Sequence, residues 1–308
     1  MSKRQKSRLL LRRITVTAVL IALAVVIKCF TKIALTIPGV GIQVSFGGIF
    51  TFFPAILFGP LYGGIASAMC DFLGAMIAPT GAYIPWLTLT AFAGGFLKGL
   101  LWRVIVRSSG KRMIAVLLTV LILIGGLGAS FTVALNRDGI TDGIFAVQED
   151  LPTKDELTAK AESGELSVLS RAAVSLSQYS KNSEKNPDNY RKNLAQNLNL
   201  VTAGLELFSL IGLALIGVSV LLRHFKEKKN ETASPYWKIL ATILIPGLIE
   251  TSVNTYILKL FVSSYASRSL LILWVPRVCE ELAVCAIQAI FISILYGVLL
   301  RTSLLEKE

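Results

Sequence analysis

Apolar runs of about 20 residues, each long enough for one helical membrane crossing, recur along this chain between short charged segments. The first runs from Ile14 to about Leu35, behind Lys3, Arg4, Lys6, Arg8, Arg12 and Arg13. From Ser45 to Ile77 only Asp71 is charged. A single helix over that stretch would be about 50 Å long, too long for one crossing. Phe58-Gly-Pro-Leu-Tyr-Gly-Gly64 breaks it, which predicts two short tilted spans over about 45–58 and 61–78. After the loop Pro79–Pro85 a fourth span reaches about Val106, and others cover 113–135, 201–222, 236–260 and about 270–300. The expectation is an all-α integral membrane protein with eight spans.

Composition supports this reading. Charged residues are 16% and the apolar set 54%, against about 25% charge in a soluble domain. A signal peptide competes for the N-terminal run, but no A-x-A-like site follows it; Thr36–Gly41 reads as a loop. Cys29, Cys70, Cys279 and Cys285 lie in apolar stretches without a C-x-x-C, and His224 sits in a basic run. Neither a disulfide framework nor a metal site is expected.

The formal charge of +12 resolves by position. Segments 1–13, 103–112, 223–235 and 301–308 hold sixteen basic and four acidic residues, whereas 136–200 holds eight basic and ten acidic. Lysine and arginine mark cytoplasmic loops, so both termini are expected inside and 136–200 outside. A nucleic-acid patch is the rival reading, but no such motif accompanies the basic segments. The chain divides into 1–112 with spans one to four, an inserted two-span unit 113–222, and 223–308 with the last two spans. Within the insert, Thr153–Glu156 has capping-box spacing, Leu166, Leu169, Ala173 and Leu176 form a stripe, and Asn186-Pro187 reads as another helix start. These predict an outer helical hairpin.

Ionisable residues inside spans are costly and mark sites by default. Lys28 and Lys32 share a face near the outer end of the first span, and Asp71 lies in the outer part of the third. Glu250 and Asn254 lie in the outer half of the seventh, and Arg277, Glu280 and Glu281 open the eighth. Tyr83, Trp86, Thr88 and Thr90 enter the fourth from outside, while Gln43, Ser45 and Phe46 close the first outer loop. Singly, each has a plain alternative: Arg277 paired with Glu280 or Glu281, lysines snorkelling, Tyr83 and Trp86 in an interfacial belt. Together they predict an outward-facing pocket for a flat, hydrogen-bonding small molecule. The inner half is nearly bare apart from Lys98, expected to snorkel towards Arg103 and the cytosol. No proton relay, clear repeat, G-x-x-x-x-G-K-[ST], H-E-x-x-H or G-x-S-x-G is present. This argues against an enzyme, a self-energised pump and a resident cofactor.

Ala18-Val-Leu-Ile-Ala22, Ser45-Phe-Gly-Gly-Ile-Phe50, Leu57–Gly64, Asp71-Phe-Leu-Gly74, Tyr83–Ala91, Asn254–Leu258 and Pro276-Arg277 resemble, in order, the substrate-binding S components of energy-coupling factor (ECF) vitamin transporters, most closely the folate type. The resemblance covers about 14–106 and 236–300. It implies a six-helix subunit of the bacterial plasma membrane that binds a vitamin on its outer side. It also implies docking on a membrane coupling protein driven by two ATPases, with Ala18 and Ala22 on the face that meets it. Small residues four apart allow such close approach. By the same resemblance Asn254, Arg277 and the segment Gln43–Phe46 lie around the ligand, with Lys28 near a basic position. The two spans and outer hairpin between 113 and 222 depart from the family pattern.

The expected site is therefore Lys28, Lys32, Gln43, Ser45, Phe46, Asp71, Tyr83, Trp86, Thr88, Glu250, Asn254, Arg277 and Glu281. Lys28, Lys32 or Arg277 would attract a carboxylate, Asp71, Asn254 and Thr88 would hydrogen-bond a ring, and Tyr83 and Trp86 would stack on it. A stand-alone secondary carrier, or a sensor or scaffold acting through the outer hairpin, are the alternatives.

Overall fold

The computed structural model describes residues 3–31, 33–37, 40–79, 81–107, 236–266 and 270–301, with short pieces and isolated positions between 119 and 217. Helix α1 runs Lys3–Phe30. Strands β1, Ile33–Ile37, and β2, Val40–Val44, follow as an antiparallel hairpin with Ile33 opposite Val44 and Ile37 opposite Val40. Then come α2 (Gly48–Leu57), α3 (Pro60–Ile77), α4 (Pro85–Ile105), α5 (Tyr236–Phe261), the one-turn α6 (Ser263–Ala266) and α7 (Leu270–Arg301).

Among the described residues four helices are long and apolar enough to cross a membrane: Arg4–Phe30, Pro60–Ile77, Tyr236–Phe261 and Ile272–Leu299. Helix α4 has 21 residues, about 31 Å, its apolar character diluted by Thr88, Thr90, three glycines and Lys98. Successive helices alternate in direction, as the Lys28–Asp71, Asp71–Thr88, Thr90–Asn254 and Lys238–Val106 contacts require, which gives the bundle two ends. A basic end gathers the start of α1, the α2–α3 turn, the end of α4 and the start of α5; a hairpin end gathers the rest.

Two expectations are corrected here. The first helix stops at Phe30 rather than about Leu35, and residues read as its end and a loop form a short β-hairpin beside an otherwise helical architecture. Ile-Ala-Leu-Thr-Ile and Val-Gly-Ile-Gln-Val are as apolar as a span, and their pairing is set by contacts between strands, to which a length-and-polarity reading is blind. The second span is also shorter than expected. Helix α2 has 10 residues, about 15 Å, half of a hydrocarbon core of about 30 Å. The boundaries of α3, α4, α5 and α7 follow the sequence reading within a residue or two. The spans expected over 113–135 and 201–222 and the outer hairpin 136–200 lie outside the described residues, apart from such pieces as the apolar helical segment Ala203–Ala214.

Between α2 and α3 the chain turns at Gly59, whose φ of 102° is open to glycine at little cost; Pro60 then starts α3. Lys238 Nζ donates to Val106 O at 2.7 Å, a cation at the carbonyl end of α4. The largest apolar cluster fills the basic half: Phe52 and Phe53 from α2, Trp102 and Ile105 from α4, Ile239, Leu240 and Ile243 from α5, Leu282, Ala289 and Ile292 from α7. Trp102 meets both Phe52 and Tyr296 edge to face, as aromatic pairs prefer.

Candidate functional site

The hairpin half is built differently. Near the end of α1, Lys28 reaches across to α3, its Nζ 2.9 Å from Asp71 Oδ1, with side chains 22% and 28% exposed. Asp71 Oδ2 accepts from Thr88 Oγ1 of α4 at 2.9 Å, and Thr88 shares a hydrogen bond of 2.9 Å with the Tyr83 hydroxyl. Phe72 packs edge to face on Tyr83. Two residues along α4, Thr90 donates to Asn254 Oδ1 of α5. These groups lie within about 10 Å of the hairpin ends of their helices, at 1.5 Å per residue.

Helical spacing explains which faces meet. Trp86, Thr90, Gly94 and Lys98 are successive i,i+4 positions of α4. Thr90 meets Asn254, a methyl at Gly94 would run into Glu250 Oε2, and the Lys98 charge acts on Glu250. Glu250 and Asn254 repeat the spacing on α5. The Lys98 charge also acts on Cys70 and Cys285. Glu281 of α7 makes the same kind of contact one helix on. A methyl at Gly247 of α5 would strike its Oε1, while Thr251 donates to Oε2 at 3.2 Å and Cys285 Sγ to Oε1 at 3.2 Å. Lys98, Glu250 and Glu281 form a second tier about 17–20 Å from the hairpin end.

The remaining expected residues lie as follows. Ser45 and Phe46 sit where β2 passes into α2, with Phe46 N–H 3.4 Å from Thr31 Oγ1. Gln43 lies on β2 opposite Ala34. Arg277 lies over the Tyr265 ring at 5.9 Å from its centroid, and its charge acts on Glu280. Trp86 is 53% exposed at the top of the α4 stripe, away from the Asp71 cluster. Lys32 lies outside the described residues. Ala18 and Ala22 are exposed on α1 beside Val19, Leu23 and Val26.

Sequence reasoning missed Ser252 and Trp274, joined by an indole hydrogen bond of 2.8 Å, and Gln288, whose Nε2 donates to Ser45 O at 3.1 Å. It also missed the glycine notches at Gly94 and Gly247. A tryptophan near a span end with a hydroxyl on the neighbouring helix was a usable signal. A glycine facing a carboxylate becomes visible only once helices are paired. Among the described residues no three His, Cys, Asp or Glu side chains gather as a metal site. Chemically, the hairpin half offers a linked set of hydroxyl, amide, carboxylate and ammonium groups on α1, α3, α4 and α5, suited to holding a polar planar molecule.

Residues 8–142 match the family model of the ECF-type riboflavin transporter S component. A curated relative, the folate transporter FolT of Clostridium novyi (strain NT), is 42% identical over 82 residues, which are 27% of this chain and 45% of that protein. The chain thus spans less than half the length of the relative it matches. No solved structure matches significantly.

Proposed function

We propose, from the match of residues 8–142 to the ECF-type riboflavin transporter S-component family model, that the chain captures a vitamin-type molecule, folate or a relative of it, and delivers it to a separate membrane coupling protein with two ATPase subunits. The chain sits in a bacterial plasma membrane with eight spans, both termini cytoplasmic, and the hairpin end and residues 136–200 outside. The exposed Ala18–Ala22 face of α1 meets the coupling protein.

The observation that supports this reading is the linked chain Lys28–Asp71–Thr88–Tyr83, with Thr90–Asn254 beside it. It lies at one end of a bundle whose other half is closed by apolar packing. Asp71, Thr88 and Asn254 hydrogen-bond a flat heterocycle, with Glu250 beneath it and Glu281 at the α5–α7 contact. Tyr83 and Trp86 lie along its faces, and Gln43, Ser45 and Phe46 close over it. Arg277 and Lys32 take a carboxylate, because Lys28 is already engaged by Asp71.

Tryptophan fluorescence titration of the purified chain with folic acid, riboflavin and thiamin tests the reading. Binding tighter than micromolar to one of them is expected, and none for any would sink it. Riboflavin is the second reading, because the matching family model carries that name. It has no carboxylate, so Arg277→Gln weakens folic acid and leaves riboflavin unchanged. Copurification with an ATPase module separates this proposal from a stand-alone carrier or a sensor.

A further inference from the structure

Between the last residue of β2, Val44, and the first of α2, Gly48, three residues belong to neither ladder, and their backbone groups need partners from elsewhere. The Phe46 N–H points at Thr31 Oγ1, and Gly47 N–H at Ser45 Oγ, both at 3.4 Å. The carbonyls of Phe46 and Gly47 accept from the first turn of α2. The Ser45 carbonyl accepts instead from Gln288 Nε2 of α7 at 3.1 Å, a residue 243 positions away in the chain and 9% exposed.

The fit around this amide is close. A methyl at Gly48 would lie 2.9 Å from Gln288 Oε1 and 3.1 Å from Nε2, and a methyl at Gly47 would lie 2.8 Å from Ala24 O and 3.0 Å from Lys28 Cβ. The junction is therefore clamped between α7 on one side and, on the other, the stem of Lys28, whose ammonium pairs with Asp71.

We propose that Gln288 is a positioning residue that pins the hairpin–α2 junction and so sets how long the site holds its ligand; the ligand part rests on the binding reading above. The pin needs a donor of this length at position 288 and no side chain at position 48. Unpinning removes the side-chain partner of a half-buried carbonyl, which corresponds to roughly tenfold in the opening equilibrium of the segment.

The test uses the full chain in lipid nanodiscs, with Gln288→Met, which keeps the length and removes the donor, Gly48→Ala, which displaces the amide head, and the double variant. Hydrogen exchange over residues 33–47, measured without ligand, is expected to rise about tenfold in each single variant. The double variant is expected to show no further increase, because both changes break the same contact. Release of folic acid should quicken by the same factor, with association within twofold. Exchange over 33–47 unchanged by Gln288→Met, or effects that multiply in the double variant, would overturn the proposal. Should the unaltered chain bind no folic acid, the ligand reading falls, and the exchange data alone decide whether Gln288 pins the junction.

Discussion

Replacing Asp71 by Asn tests the arrangement of the site most directly. The carboxylate accepts from Lys28 Nζ and Thr88 Oγ1, each at 2.9 Å. Asparagine keeps an oxygen for Thr88 but leaves the Lys28 ammonium without its counter-charge. Breaking a fully buried pair costs roughly 3–5 kcal/mol, whereas an exposed pair contributes about 0–1 kcal/mol. With the two side chains 22% and 28% exposed, the pair lies between these limits, and we expect Asp71→Asn to cost about 2 kcal/mol. Lys28→Met removes the charge and keeps the aliphatic stem, which lies along Gly74, where a methyl would come 2.9 Å from Lys28 Cδ. The double variant should therefore recover part of the loss, giving a coupling of about 1–2 kcal/mol in a double-mutant cycle. The assay is reversible unfolding of the four proteins in mixed detergent micelles. Strictly additive single-variant losses, or an Asp71→Asn protein as stable as the parent, would show that the pair is a surface contact and would refute the reasoning.

Three further outcomes follow from the packing. Gly94→Ala should destabilise by about 1–3 kcal/mol, because the added methyl overlaps the Glu250 carboxyl and forces it from its niche, and Glu250→Ala in the same chain should restore most of it; the unfolding midpoint reads both. Gly59→Ala should cost about 1–2 kcal/mol through its positive φ alone. The atom nearest the added methyl there is the flexible end of Arg103, so truncating Arg103 as well should not relieve the loss. Ala18→Leu, on an exposed face of α1, should leave folic acid binding and unfolding unchanged and abolish copurification with an ATPase module; retained copurification would remove that face from the partner contact.

The helices that the sequence reading placed well are those in which length and flanking charge act together. Helices α3, α5 and α7 are bounded by turn signals or basic residues, and no alternative structure satisfies their backbone groups in lipid. Helix α2 was legible as a short helical span of overestimated length, whereas the hairpin was not, because it is apolar and the choice between helix and strand there depends on what packs beside it. At the site, Lys28, Asp71, Glu250 and Asn254 stand out as polar groups where lipid would be expected. Their partners do not. The Lys28–Asp71 contact bridges 43 positions and Thr90–Asn254 bridges 164.

The short α2 connects the fold to the proposed activity. A helix of about 15 Å fills one side of the bundle through roughly half the bilayer, and above its first turn the hairpin and its junction take the place of helix. Polar side chains of α1, α3, α4 and α5 meet at that level. Below the Lys98–Glu250–Glu281 tier, Phe52, Ile239, Leu282 and Ile292 are almost wholly buried, and passage of a polar molecule through them would strip its hydration without replacing its hydrogen bonds. Under the proposed function a ligand enters from the hairpin end, its release at the basic end between the described helices would require unpacking that cluster, and the work for this comes from the ATPase module. On the same proposal the decisive energetic step lies at the contact between α1 and the coupling protein, away from the groups that recognise the ligand.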